Sequence, residues 1–149
     1  MLTDPLGTNP LTREIIGCGI RVHDTVGPGL YENVYAECME FELRARGLAI
    51  ETGRPAPIVY KGVTLKSRYY IDIVVENCVV VELKSVVALA EIHRRQVLTQ
   101  LKLSGLPVGL LLNFNVVTLT DGGVKRVLNP DWGERGRLAG DAAVERWRE

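Results

Sequence analysis

The chain has few of the residues that mark special environments. Only three cysteines occur in 149 residues. Cys18, Cys38 and Cys78 are scattered without CxxC spacing, which argues against a disulfide framework or a structural zinc site. Buried thiols in a reducing cytoplasm are expected instead. His23 and His93 lack partners at metal-ligand spacing, so packing or surface exposure is the expectation for both. No run is apolar for long enough to span a bilayer, and Met1-Leu2-Thr3-Asp4-Pro5 does not open a signal peptide. No membrane partner is expected. Gly27-Pro28-Gly29 reads as a turn and not a phosphate loop, because no lysine and serine follow it. Charge of one sign is missing too. Eighteen basic residues cancel eighteen acidic ones, which removes a global pull toward nucleic acid but leaves room for a local basic groove. What is present, 46% hydrophobic and 24% charged residues, is the composition of one ordinary globular domain with a sizeable core.

Residues 1–8 read as a loose leader, residues 9–129 as a single domain and residues 130–149 as a weakly patterned tail, with a short helix ending in Trp147 as one option. Asn9-Pro10 offers an N-cap with proline at the first helical position. Ile15, Ile16, Gly19, Ile20 and His23 then follow at helical spacing as far as Gly27. A second helix is predicted from Tyr31 to Arg46, with Val34, Tyr35, Cys38, Phe41 and Ala45 on its apolar side and Gly47 as its stop. Ile58-Val59-Tyr60, a turn at Lys61-Gly62, and Val63 to Leu65 lead into an antiparallel meander. A third helix is predicted from Leu89 to Leu103, stopped by Gly105. Pro107 to Phe114 is almost continuously apolar, as in a strand buried on both faces and reached by a parallel crossover. Val116 to Thr120 and Val124 to Leu128, joined at Asp121-Gly122-Gly123, read as a final hairpin. The order gives an α/β sandwich with a mixed sheet.

The meander carries the most informative residues. Asp72 interrupts the strand Tyr69–Val75, and Glu82 and Lys84 interrupt Val79–Lys84. Strand side chains alternate faces, so Glu82 and Lys84 point the same way. Asp72 joins them only if the connection has an odd number of residues. A three-residue loop at Glu76-Asn77-Cys78 pairs Val75 with Val79 and sets Asp72 opposite Glu82, with Asn77 or Cys78 left-handed. Facing carboxylates repel unless a cation lies between them. Lys84 offsets part of that repulsion, and a divalent metal such as Mg²⁺ offsets more. The competing reading is a solvated hairpin face. Tyr70, Val74 and Val80 share that face, however, and predict that it is covered.

Gly29-Leu30-Tyr31-Glu32-Asn33-Val34-Tyr35 fits the pattern GxxExxY. Val22-His23, Tyr60-Lys61-Gly62, the Asp72 strand, Glu82-Leu83-Lys84, Gln96 and Gly109-Leu110-Leu111-Leu112-Asn113-Phe114 accompany it in order. Over most of its length the chain therefore resembles the GxxExxY family of small bacterial and archaeal proteins, placed in the PD-(D/E)XK nuclease superfamily. The resemblance implies a restriction-endonuclease-like mixed sheet core (α-β-β-β-α-β) flanked by helices. It also implies a metal-dependent nuclease that hydrolyses nucleic-acid phosphodiesters, DNA above all, with Mg²⁺ or Mn²⁺ as cofactor, and it leaves a homodimer open. By the same resemblance, Asp72 and Glu82 hold the metal and Glu32 supports it from the first core helix. Lys84 orients the attacking water or stabilises charge on phosphate, and Gln96 positions substrate or water. Ile71 stands where the superfamily's name has proline, with no chemical consequence, because that side chain faces away. Arg54 stands where relatives tend to carry glutamine.

Each assignment has a plainer competitor. Glu32 could serve only as a carboxylate at a helix N-terminus, and Gln96 could lie on a solvated helix face with Arg94, Arg95 and Gln100. Arg94, Arg95 and Lys102 either contact phosphates or keep their helix soluble. Tyr35 reads as a core aromatic whose hydroxyl finds a buried partner. For the whole chain, the competing function is a noncatalytic interaction or scaffold protein that keeps the nuclease-like fold.

Overall fold

The computed structural model describes residues 8–132. Three helices, α1 (Asn9–Val26), α2 (Glu32–Ala45) and α3 (Glu91–Ser104), pack on one five-stranded sheet. Its strands are β1 (Ile50–Tyr60), β2 (Val63–Val75), β3 (Val79–Lys84), β4 (Val108–Asn113) and β5 (Val124–Leu128), in spatial order β1-β2-β3-β4-β5. Only the β3–β4 pair is parallel, as a connection through α3 requires. The expected α-β-β-β-α-β order is present, with β5 added on the far edge. The proposed C-terminal helix and most of the proposed leader lie outside the described residues. Thr8 is buried, and its Oγ1 accepts a hydrogen bond from Arg126 Nη2 at 2.8 Å.

Two cores lie on the two faces of the sheet. One gathers Leu11, Ile15 and Val22 of α1 and Tyr35, Met39 and Leu43 of α2 over Val81, Leu110 and Leu112. The other sets Val97 and Leu101 of α3 over Val74, Val80 and Leu111. All six residues of β4 are buried, as its unbroken apolar run predicts. His23 is a core residue whose Nε2 lies 2.7 Å from the Val116 carbonyl.

Four expectations change. First, β1 begins at Ile50, not Ile58, and runs through Pro55 and Pro57. Both prolines are tolerated because β1 is an edge strand, where a missing N–H costs no ladder bond. Second, Val116 to Thr120 forms no strand. The Val116 carbonyl is taken by His23 and Leu119 is buried against Gly19, while β5 pairs antiparallel with the open edge of β4. Third, the buried stripe of α2 is Tyr35, Met39 and Leu43, at spacing i, i+4, i+8, whereas Phe41 is 72% exposed and Ala45 is exposed. Fourth, the N-cap of α1 is Thr8, which places Pro10 within the first turn.

Helix α3 sits close on β4 because Gly109 leaves room for it. A Cβ built at Gly109 would lie 2.5 Å from Val97 Cγ1. Valine is stiff about χ1 and cannot swing aside without moving the helix. We expect Gly109→Ala to cost about 1–3 kcal/mol of stability through overpacking, read from the urea midpoint at constant m-value. A shift below about 0.5 kcal/mol would show that α3 is free to retreat.

Candidate active site

The connection between β2 and β3 fixes the site. Residues 76–78 form the turn, and the ladder pairs Val75 with Val79, Val74 with Val80 and Ile73 with Val81. The ladder stops there, and strict alternation stops with it: Ile73 and Val75 pack into the core under α1 and α2, whereas Ile71 joins Val74 and Val80 in the core under α3. Two turn residues are left-handed, Glu76 (φ 53°) and Asn77 (φ 48°). Glu76 tolerates this conformation because it is tied on both sides: its N–H donates to the Ala49 carbonyl at 2.8 Å, and its carboxylate accepts from the Ala49 N–H at 3.2 Å. On β1, Gly53 lies across from Asp72, between the pairs Thr52–Ile73 and Arg54–Ile71. It has φ 62° and interrupts the ladder there.

The polar side chains converge where the β2–β3 ladder ends. Lys84 Nζ lies 3.3 Å from Glu82 Oε1. Asp72 Oδ2 accepts a hydrogen bond from the Leu83 N–H at 3.0 Å. Glu82 is only 7% exposed, and its Oε2 accepts from Gln100 Nε2 at 2.8 Å. Burial pushes the Glu82 carboxyl up to about 7; the neighbouring Asp72 charge adds to that, while Gln100 and Lys84 oppose it. Asp72 is shifted upward as well. Desolvation is the main cause, against the pull of the Leu83 N–H and the Lys84 charge. Tyr70, expected to lie under cover, is 64% exposed, whereas Val74 and Val80 are buried beneath α3.

Glu32 approaches from the first turn of α2 and lines, with Asp72, Tyr31, Ser85 and Asn115, an open cleft of about 820 Å³. Its Oε1 accepts from the Ser85 N–H at 3.4 Å. The pattern GxxExxY has a mechanical explanation here. Gly29 has φ 97°, a left-handed conformation that glycine adopts without strain. The Tyr35 hydroxyl donates to the Gly27 carbonyl at 2.6 Å and accepts from the Leu30 N–H at 3.2 Å, while its ring stacks on Phe114 at 4.4 Å. Tyr35 is thus the core aromatic expected, and it pins the turn that delivers Glu32. Among the described residues, no three of His, Cys, Asp and Glu come close enough to form a metal cage. Glu32 therefore faces the Asp72–Glu82 pair across the cleft and does not close on it.

A family model for the PD-(D/E)XK nuclease superfamily matches residues 9–127. The chain belongs to that superfamily. No curated protein and no solved structure matches the chain. Where the superfamily's name has proline before the aspartate, Ile71 is fully buried on the opposite side of β2 from Asp72. The fold separates two glutamines that helical spacing alone would put on one solvated face. Gln100 is buried against Glu82, whereas Gln96, one turn earlier, is half-buried and makes no hydrogen bond to Asp72 or Glu82. Spacing could have found Gln100, since it sits at i+3 from Val97 beside Leu101 in the inward stripe. Also unanticipated are Ser85, whose Oγ donates to the Leu30 carbonyl at 2.7 Å, and buried Asn113, whose amide brackets Val86. Arg94 pairs with Glu91, and Arg54 with Asn77 and Glu51, all away from the acidic pair.

Unfolded Glu82 loses its proton near pH 4.5, and folded Glu82 near 7. Folding therefore takes up a proton between those values, and stability falls as pH rises through that window. The metal-free protein should lose on the order of 2 kcal/mol between pH 5 and 8 relative to Glu82→Gln, measured by chemical denaturation. Parallel pH curves for the two proteins would show that Glu82 is not under strain. Separately, Tyr35→Phe leaves the Gly27 carbonyl and Leu30 N–H unpaired, and should cost about 1–3 kcal/mol.

Proposed function

We propose that this protein is a metal-dependent nuclease of the GxxExxY kind that hydrolyses phosphodiester bonds in DNA. The observation that carries the reading is the pairing of half-buried Asp72 with buried Glu82, with Lys84 on Glu82 and Asp72 lining an open cleft. Burying two like charges is unfavourable unless a cation compensates them, and one lysine leaves a net negative charge. The donor set fits Mg²⁺ or Mn²⁺: hard carboxylate oxygens from Asp72 and Glu82, with room left for water and substrate phosphate. A bound ion would supply an acidified water and offset charge on the phosphate.

The remaining work falls to the chain. Lys84 orients the attacking water and stabilises the negative charge that grows on phosphate. Gln100 fixes one oxygen of Glu82, so the carboxylate presents a single orientation to the cleft. Glu32 adds negative charge from the α2 side and holds water there. The rival reading, an interaction platform that keeps the fold, draws on one observation: Lys84 and Gln100 already engage both oxygens of Glu82.

Millimolar Mg²⁺ or Mn²⁺ should raise the melting temperature by mass action, and Glu82→Ala should abolish the rise. An equal rise in both proteins would place the metal elsewhere. In a screen over single-stranded, duplex and branched DNA and RNA, with a chelator control, cleavage should require the metal. Lys84→Ala should keep metal binding and lose ~10²–10³-fold in rate, while Asp72→Asn should lose both. Wild-type protein that cuts nothing, or Lys84→Ala that cuts at the wild-type rate, would hand the case to the platform reading.

A further inference from the structure

The β1–β2 ribbon has features that the site does not use. Between Glu51 and Asp72 the chain carries Arg54, Lys61, Lys66 and Arg68 and no acidic residue, in a protein whose charges otherwise cancel. Arg54 is engaged by Asn77 and Glu51. Lys61, Lys66 and Arg68 are exposed and have no carboxylate partner among the described residues. From Val59 to Arg68 every residue is exposed, so the end of the ribbon stands clear of both cores. It also displays Val59, Tyr60 and Val63, each about 60% exposed. Exposed apolar side chains on both faces need a partner, and a run of cations without acids selects a polyanion. A second copy of this ribbon would set cation against cation. Pro55 and Pro57 further weaken the free edge of β1 as a pairing surface.

The ribbon is continuous with the acidic pair. Arg68, Tyr70 and Asp72 alternate along β2, with Arg68 and Tyr70 exposed and Asp72 half-buried, while Tyr69 and Ile71 turn inward. Four strand residues span about 13 Å, roughly four base-pair steps of B-DNA. A two-stranded ribbon fits the B-form major groove but not the deep, narrow one of duplex RNA.

We propose that the β1–β2 ribbon is an arm that lies in the major groove of duplex DNA, with Lys61, Lys66 and Arg68 on its phosphates and Tyr60 at its tip. The proposal rests on the nucleic-acid reading above, and it fixes the duplex on the side of Asp72 that leads through Tyr70 to Arg68.

The test is fluorescence anisotropy with a labelled 30-base-pair duplex DNA, with chelator present so that nothing is cut. Wild-type affinity should fall steeply with NaCl. The triple variant Lys61→Ala, Lys66→Ala, Arg68→Ala should bind at least ~10-fold more weakly at 0.1 M NaCl. Its log–log salt slope should be shallower by about 0.9 for each phosphate it no longer neutralises. Arg13→Ala, an exposed cation on α1, serves as the control and should bind as wild type. Duplex RNA of the same sequence should bind more weakly than the DNA. The arm is overturned if wild type does not bind the duplex, if the triple variant keeps the wild-type salt slope at an unchanged melting temperature, or if duplex RNA binds as well as DNA. Cleavage is scored separately, with metal, on bis(p-nitrophenyl) phosphate, which is too small to reach the ribbon. Ribbon-dependent binding without cleavage refutes the nuclease and keeps the arm. Cleavage equal in wild type and the triple variant, with equal duplex binding, does the reverse.

Discussion

Two carboxylates held against each other in a buried hairpin constrain everything around them. The three-residue turn at 76–78 sets the register of Ile73–Val75 on Val79–Val81, and where that ladder ends the Leu83 N–H takes hold of Asp72. Desolvation pushes both groups toward protonation, and the Asp72 charge pushes Glu82 further. A pair like this persists only because its surroundings compensate it and overdetermine its geometry. The Leu83 N–H, the Lys84 ammonium and the Gln100 amide each supply part of the compensation. The cores supply the rest.

Positioning is spread across elements with different chemical duties. The strands β2 and β3 carry the acids and the lysine, where alternation fixes direction to within a side-chain rotamer. Helix α3 supplies Gln100 from above, and the Gly109 gap lets that helix approach. Helix α2 delivers Glu32 through a turn tied by the Tyr35 hydroxyl. The conspicuous residues of GxxExxY thus divide their labour. Gly29 and Tyr35 build the turn, and Glu32 brings the carboxylate to the cleft. A sequence pattern that resembles a catalytic signature is here mostly a scaffold for one carboxylate.

Local rules made the hairpin, the helix stops and the double-faced strand legible in the chain. Val75, Val79 and the odd loop count were enough to set the ladder register, and two-residue spacing put Glu82 and Lys84 on one face, because strand period is a property of the backbone itself. Gly105 ends α3 in the left-handed conformation expected of such a stop, and the unbroken run to Phe114 could only be buried. What could not be read locally was which neighbour an element would find. Val116 to Thr120 looks like a strand by composition, yet β5 pairs with β4 because the edge of β4 is open and the Val116 carbonyl is already taken by His23. Pro55 and Pro57 argue against a strand until β1 is known to be an edge.

The same division holds at the site. The sequence alone determined that Glu82 and Lys84 share a strand face, since they stand two residues apart, whereas the side of β2 from which Asp72 joins them was left to packing. Only the tertiary structure decided that Gln100, and not Gln96, meets Glu82, because one turn of helix separates them and the packing of α3 on β4 chooses between them. It also decided that Tyr70 stands open beside a basic ribbon. Which side chains of β2 are covered depends on how the helices pack on the sheet, a long-range contact that no local pattern encodes.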